Sequence, residues 1–82
     1  MEKKPHILLV DDEQDITSNL SAYLNRSGFE TSTAGDGEEA LQQVKQHVPD
    51  LIVLDVLMPI MDGREMLRKL RQADDWTPVI LL

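Results

Sequence analysis

Asp11, Asp12 and Asp55 are the residues of this chain whose type and placement could do chemistry. Each stands at the end of a short apolar run: Ile7-Leu8-Leu9-Val10 before the first two, Leu51-Ile52-Val53-Leu54 before the third. If those runs are neighbouring parallel strands, about 4.8 Å apart, the three side chains come within a few ångströms of one another. Carboxylates at that range repel, and a hard cation with oxygen ligands relieves the repulsion. Mg2+ suits such a place, because it commonly takes one or two carboxylates, waters and a phosphate. The chemistry suggested is phosphate chemistry. The cation neutralises charge on an incoming phosphoryl group, and a carboxylate attacks it to form an aspartyl phosphate. The bland alternative is that each Asp forms a turn or caps a helix, with Asp12 or Asp15 as cap of the first one. Spacing alone leaves both readings open.

The elements that must position these residues follow from hydrophobic period. Ile7 to Val10 and Leu51 to Leu54 are continuous apolar runs, which predict strands buried on both faces. Val79-Ile80-Leu81-Leu82 predicts a third such strand. Phe29 to Ala34 alternates weakly and predicts a more exposed strand near an edge. Between the strands the period changes. Ile16, Leu20, Tyr23 and Leu24 form one helical stripe, with Gly28 as its stop. Asp36 predicts an N-cap for a helix carrying Ala40, Leu41, Val44 and Val48, which Pro49 ends. Glu38 and Glu39 suit the positive end of that helix, and His47 its last turn. Asp62-Gly63 leads into a helix with Met66, Leu67 and Leu70. The order β-α-β-α-β-α-β predicts an α/β fold, a doubly wound parallel sheet with helices on both faces. Ligands of such sheets bind beyond the C-terminal ends of the strands, where the strand order reverses.

Composition narrows the function classes. The net charge of -7, from 15 acidic against 8 basic residues, argues against a nucleic-acid surface in this segment. It is compatible with a divalent-cation site. The absence of cysteine excludes disulfides and thiol chemistry. The apolar runs fall far short of the roughly 18 residues of a membrane span. The start, Met1-Glu2-Lys3-Lys4-Pro5, lacks the apolar stretch of a signal peptide. The expectation is a cytoplasmic protein with no membrane partner.

The motifs together resemble a response-regulator receiver domain of two-component signalling. They are Ile7-Leu8-Leu9-Val10-Asp11-Asp12-Glu13, Gly35-Asp36-Gly37-Glu38-Glu39-Ala40-Leu41, Leu51-Ile52-Val53-Leu54-Asp55-Val56-Leu57-Met58-Pro59 and Met61-Asp62-Gly63. The resemblance covers essentially the whole chain, and the combination is far more specific than any one piece. It implies a flavodoxin-like sheet of order 2-1-3-4. It implies that Asp55 is the phosphoacceptor and that Mg2+ is held by Asp12 directly, Asp11 directly or through water, Asp55, and the backbone carbonyl of Leu57. Pro59 and Gly63 would shape the loop and the entry to the third helix. The phosphoryl donor would be a sensor histidine kinase, a phosphotransfer protein or a small acyl phosphate. The domain would then be a signalling acceptor that switches a downstream output, rather than a turnover enzyme, and it could form a homodimer.

The resemblance departs at the end. The family continues into a fifth strand and a fifth helix, both absent from this chain. It places a Ser or Thr after the fourth strand and a Lys at the end of the fifth, and neither is assignable here. Residues 1–82 are therefore expected to be one receiver domain, incomplete at its C-terminus, with Val79 to Leu82 as an uncovered apolar edge prone to pairing.

Other phosphate-handling classes fit less well. A haloacid-dehalogenase-like phosphatase wants Asp-x-Asp after its nucleophile strand, whereas Val56-Leu57 follows Asp55. A Toprim-like nuclease wants a Glu after the first strand and a later Asp-x-Asp. A flavodoxin-like cofactor module wants a phosphate loop after Val10, and no Ser/Thr/Gly-rich segment follows it. A receiver-like module that is never phosphorylated conflicts with the intact acidic trio. His6 reads as a strand-edge structural residue and Trp76 as a packing residue. Arg64, Arg68, Lys69 and Arg71 read as a solvated helix face, and Met58 and Met61 as packing residues.

Overall fold

The computed structural model describes residues 3–82. The apolar runs become strands: β1 is His6–Val10, β2 Glu30–Ala34, β3 Leu51–Leu54 and β4 Val79–Leu81. The helices are α1 Gln14–Arg26, α2 Gly37–Gln46 and α3 Gly63–Gln72. The four strands form one parallel sheet in the order β2-β1-β3-β4, the order the resemblance implies. The register pairs Val10 with Leu54, so Asp11 and Asp55 leave the sheet side by side.

Alternate residues of the strands point to opposite faces. Leu8, Val10, Ile52 and Leu54 meet Ala40 and Val44 of α2 and Met66 and Leu70 of α3 in a buried core. Each large side chain there stabilises the fold by about 1.5–3 kcal/mol relative to exposure. Ile7 and Leu9 face the other way, toward α1 on the flank of β1 and β2. Ser21 of α1 hydrogen-bonds Thr31, the register partner of Ile7 on that face. Helices therefore cover both faces, but unequally.

That inequality corrects the expected α1 stripe. Thr17 is the buried residue of α1, Leu20 and Leu24 are half-buried, and Ile16 and Tyr23 are exposed at 48% and 60%. The helix packs over β1 and β2, and among the described residues the apolar side chains of Ile16 and Tyr23, turned away from them, stay uncovered. Val48 is a second correction. The helix stops at Gln46 because His47 takes an extended conformation, and Val48 lies outside it and exposed. β4 stands at the edge of the sheet with Ile80 and Leu81 exposed, the uncovered apolar edge expected of Val79 to Leu82.

The helix termini follow the sequence closely at two of three starts. Asp36 accepts a hydrogen bond from Glu39 N–H at 2.9 Å, and Asp62 one from Glu65 N–H at 3.0 Å. Each cap contributes about 1 kcal/mol. At α1 neither Asp12 nor Asp15 caps. Glu13 occupies the cap position without a side-chain bond, and Asp15 sits in the first turn. Gly28 follows the end of α1 with φ +100, a conformation that disfavours any residue with a Cβ.

Candidate functional site

The acidic site is built by the sheet. The ladder continues past the strands, with Asp55 N–H donating to Val10 O at 2.9 Å and Asp11 N–H to Ala34 O at 3.2 Å. These bonds fix where both Asp residues begin. One ligand oxygen from each of Asp11, Asp12 and Asp55 lies within 4.8 Å of the others. Asp12 is exposed, and Asp11 and Asp55 are half-buried. The site sits at the C-terminal edge between β1 and β3, where the chain order reverses.

Local backbone donors orient two of the carboxylates. Asp11 Oδ1 accepts from Glu13 N–H at 2.9 Å, and Asp55 Oδ1 accepts from Leu57 N–H at 3.2 Å. Each keeps a second oxygen for a ligand. Mg2+ binds oxygens at about 2.0–2.1 Å, so directly bound oxygens stand no more than about 4.2 Å apart. The observed span is close to that limit, and bridging water accommodates the remainder. The all-oxygen donor set thus fits a hard divalent cation.

The loop after β3 is tightly built. A Cβ on Gly63 would meet Asp55 O at 2.5 Å and Val56 Cα at 3.0 Å. Only a residue without a side chain lets α3 start this close to the backbone of Asp55. Gly63 N–H donates to Val56 O at 3.0 Å and closes the loop. Met61 is buried in the core, with its side chain against Gly37 at the start of α2. Between Pro59 and Met61 the chain makes a three-residue turn, Met61 N–H donating to Pro59 O at 2.7 Å. Ile60 at its centre has φ +70, a strained conformation for a β-branched residue. Sequence reasoning missed this turn, because Ile carries none of the Gly or Asn signal that normally marks positive φ. Leu57 and Ile60 both project into solvent, at 79% and 73% exposure.

A hollow of about 300 Å³ adjoins Asp11 and Asp12 on the β2 side. Gln14, Thr17, Thr33 and Glu39 line it, none of which the sequence singled out as a site residue. Glu39 also accepts from Gly35 N–H at 3.1 Å, tying the first turn of α2 to the end of β2.

The remaining flagged residues lie elsewhere. Arg71 is not part of a solvated face: it donates to the carbonyls of Asp75 and Thr77 at 2.8 and 3.0 Å and lies over the Trp76 ring. Trp76 is 68% exposed, so it serves as a lid on Arg71 rather than as core packing. Arg64, Arg68 and Lys69 are exposed, as read.

Fold and site together define a doubly wound α/β domain with an acidic pocket at its switch point. Comparison with known proteins gives the family. A family model described as "Response regulator receiver domain" matches residues 7–82, and the chain belongs to that family. It is the receiver domain of a two-component response regulator. The alkaline phosphatase synthesis transcriptional regulatory protein PhoP of Bacillus subtilis is 49% identical over 82 residues, all of this chain and 33% of that one. The transcriptional regulatory protein PrrA of Mycobacterium tuberculosis is 45% identical over 78 residues, covering 95% of this chain and 34% of that one. The chain thus spans about a third of the length of these regulators. Among solved structures, the chemotaxis protein CheY4 of Vibrio cholerae superposes with TM-score 0.91 at 34% identity, covering 96% of this chain and 68% of that one. The receiver domain of the Francisella response regulator 1452 does so with TM-score 0.91 at 36% identity, covering 95% and 64%.

Proposed function

We propose that Asp55 accepts a phosphoryl group and that Asp11 and Asp12 hold Mg2+ beside it. The observation that carries this reading is the convergence of the three carboxylates within 4.8 Å at the switch point. Asp55 offers its free carboxylate oxygen to the phosphorus; an O–P bond forms as the donor's bond to phosphorus breaks. The leaving group is an imidazole from a phosphohistidine, or a carboxylate from an acyl phosphate. Leu57 N–H, on the other oxygen of Asp55, keeps the nucleophile aimed. Asp12 and Asp11, Asp55 itself and the backbone carbonyl of Leu57 would hold Mg2+, which supplies charge neutralisation for the incoming phosphoryl oxygens.

The partner is accordingly a sensor histidine kinase or a phosphotransfer protein, and the domain acts as a signalling acceptor rather than as an enzyme with turnover. The names of its relatives support a transcriptional output in the whole protein. Among the described residues no helix is long and apolar enough to cross a membrane, which accords with the proposed cytoplasmic location. A homodimer is a further part of this proposal. The test uses the intact protein with acetyl phosphate and Mg2+. Intact mass should rise by one phosphoryl group in the wild type, and not in Asp55→Asn or when a chelator removes Mg2+. A wild type that stays unmodified while folded, or an Asp55→Asn variant that is still modified, sinks the proposal.

A further inference from the structure

At the end of the sheet remote from the acids, His6 opens β1 and yet is only 8% exposed. Its backbone N–H donates to Asp50 Oδ2 at 2.7 Å, and its Nε2 meets Ser32 Oγ at 2.8 Å. Its ring stacks on that of His47, the C-cap of α2, with 4.6 Å between centroids and 26° between planes. Nδ1 is buried and has no hydrogen-bond partner among the described residues. The neutral ring suits this place, with Nε2–H donating to Ser32 and Nδ1 bare. The imidazolium does not, because it would bury a charge and an N–H with nothing to accept it.

We propose that the His6–His47 stack is a proton-operated latch that fastens the start of β1 to the end of α2, closed while His6 is neutral and opened by acidification. Charged and titratable groups ahead of β1, on β2, at the end of α2 and in the α2–β3 turn act on the ring. Burial is the largest influence and opposes the imidazolium; His47 at the end of α2 and Lys3 ahead of β1 oppose it too. Glu30 on β2 and Asp50 in the α2–β3 turn favour it. The balance holds His6 below its ordinary value of 6.5. Well above 6.5 the ring is neutral in folded and unfolded chains, and the latch is fully in place. As pH falls below 6.5 the unfolded chain takes up a proton that the folded one resists, so stability drains away toward the lowered folded pKa. The parts released are those the ring holds together: the first residues of β1, the Asp50 turn whose N–H donates to His6 O at 2.8 Å, and the end of α2.

The test is NMR on the intact protein with labelled histidine, titrated from mildly alkaline to mildly acidic pH, with amide exchange followed in parallel. His6 should titrate below 6.5, and protection of the His6 and Asp50 amides, corrected for intrinsic exchange, should begin to fall below 6.5 and level off once folded His6 has titrated. His47→Ala, at an exposed position, should move the His6 titration upward. His6→Phe fills the ring's place without titrating and should keep those amides protected throughout. A wild-type His6 that titrates at or above its ordinary value overturns the latch. So does an equal loss of protection in His6→Phe. Should that variant fail to fold, an unshifted His6 titration in His47→Ala is enough to overturn it.

Discussion

The two ends of the sheet treat their polar groups in opposite ways. At the base, where the strands begin, polar groups are tied to one another and to the backbone, some across the fold and some within a turn. His6 reaches Asp50 and Ser32, Arg71 reaches the carbonyls of Asp75 and Thr77, and Thr77 closes on Asp75. At the opposite end Asp11 and Asp55 accept from backbone N–H groups two residues on, and Asp12 stands exposed. Apart from His6 Nδ1, these polar groups at the base are consumed by structure. Those at the C-terminal edge keep lone pairs to spare, and spare lone pairs at a switch point are what a metal or phosphoryl group can use. The contrast also separates chemistry from stability. Changes at the acid end that spare the backbone should alter phosphorylation, whereas changes at the base should alter folding.

Gly63 is the exception that sharpens the rule, because there the backbone itself is the acid end. In Gly63→Ala the new Cβ meets backbone atoms of Asp55 and Val56, which cannot rotate away. Overpacking of this kind costs typically 1–3 kcal/mol, and we expect the upper part of that range. The urea midpoint should fall, and phosphorylation of the remaining folded protein should slow, since Asp55 is displaced. An Ala variant with unchanged midpoint and unchanged phosphorylation would mean that α3 does not start against Asp55.

The base should answer to a smaller change. Thr77 is buried, and its hydroxyl donates to Asp75 Oδ1 at 2.6 Å. Thr77→Val keeps the shape and removes that bond, at a cost of about 1 kcal/mol. The pH dependence tests the cause. Asp75 is held below its ordinary value first by the Thr77 hydroxyl and then by the Thr77 N–H, with Arg71 adding to both and burial opposing. A lowered carboxyl contributes stability above its unfolded pKa and loses it as pH falls through its folded pKa. In Thr77→Val the stability lost between neutrality and about pH 3 should therefore shrink. Comparing urea midpoints of the two proteins at both pH values decides it; parallel losses would rule the hydroxyl out.

Much of this was legible from residue order. The first and third strands are runs of Leu, Ile and Val with acids at their ends, and Asp36 caps α2 as predicted, with Glu39 three residues on. The acid trio was legible because parallel register brings strand ends together whatever the detailed packing. The base was not. The partners of His6 lie 26 and 44 residues away, and nothing in the sequence places them together before the register is known. The exposure of Ile16 and Tyr23 was equally hidden, because periodicity shows that a helix has an apolar stripe and not what lies opposite it. Ile60 was hidden for a third reason: its backbone is held at positive φ by its neighbours, against its own preference.

The smallest effect on stability, and the one confined to chemistry, is expected at Leu57. Its side chain is exposed beside the acid pocket while its N–H orients Asp55. Leu57→Asn keeps that N–H and buries nothing new, so the urea midpoint should move by less than about 0.5 kcal/mol, as surface substitutions do. Hydrolysis of the aspartyl phosphate needs a water directed at phosphorus from the open side. Leucine offers that water no hydrogen bond, whereas an amide can orient it. The phosphoryl group on Asp55 should consequently decay several-fold faster in Leu57→Asn, followed by intact mass after removal of the donor. An unchanged half-life would show that the side chain two residues beyond Asp55 does not reach the attacking water.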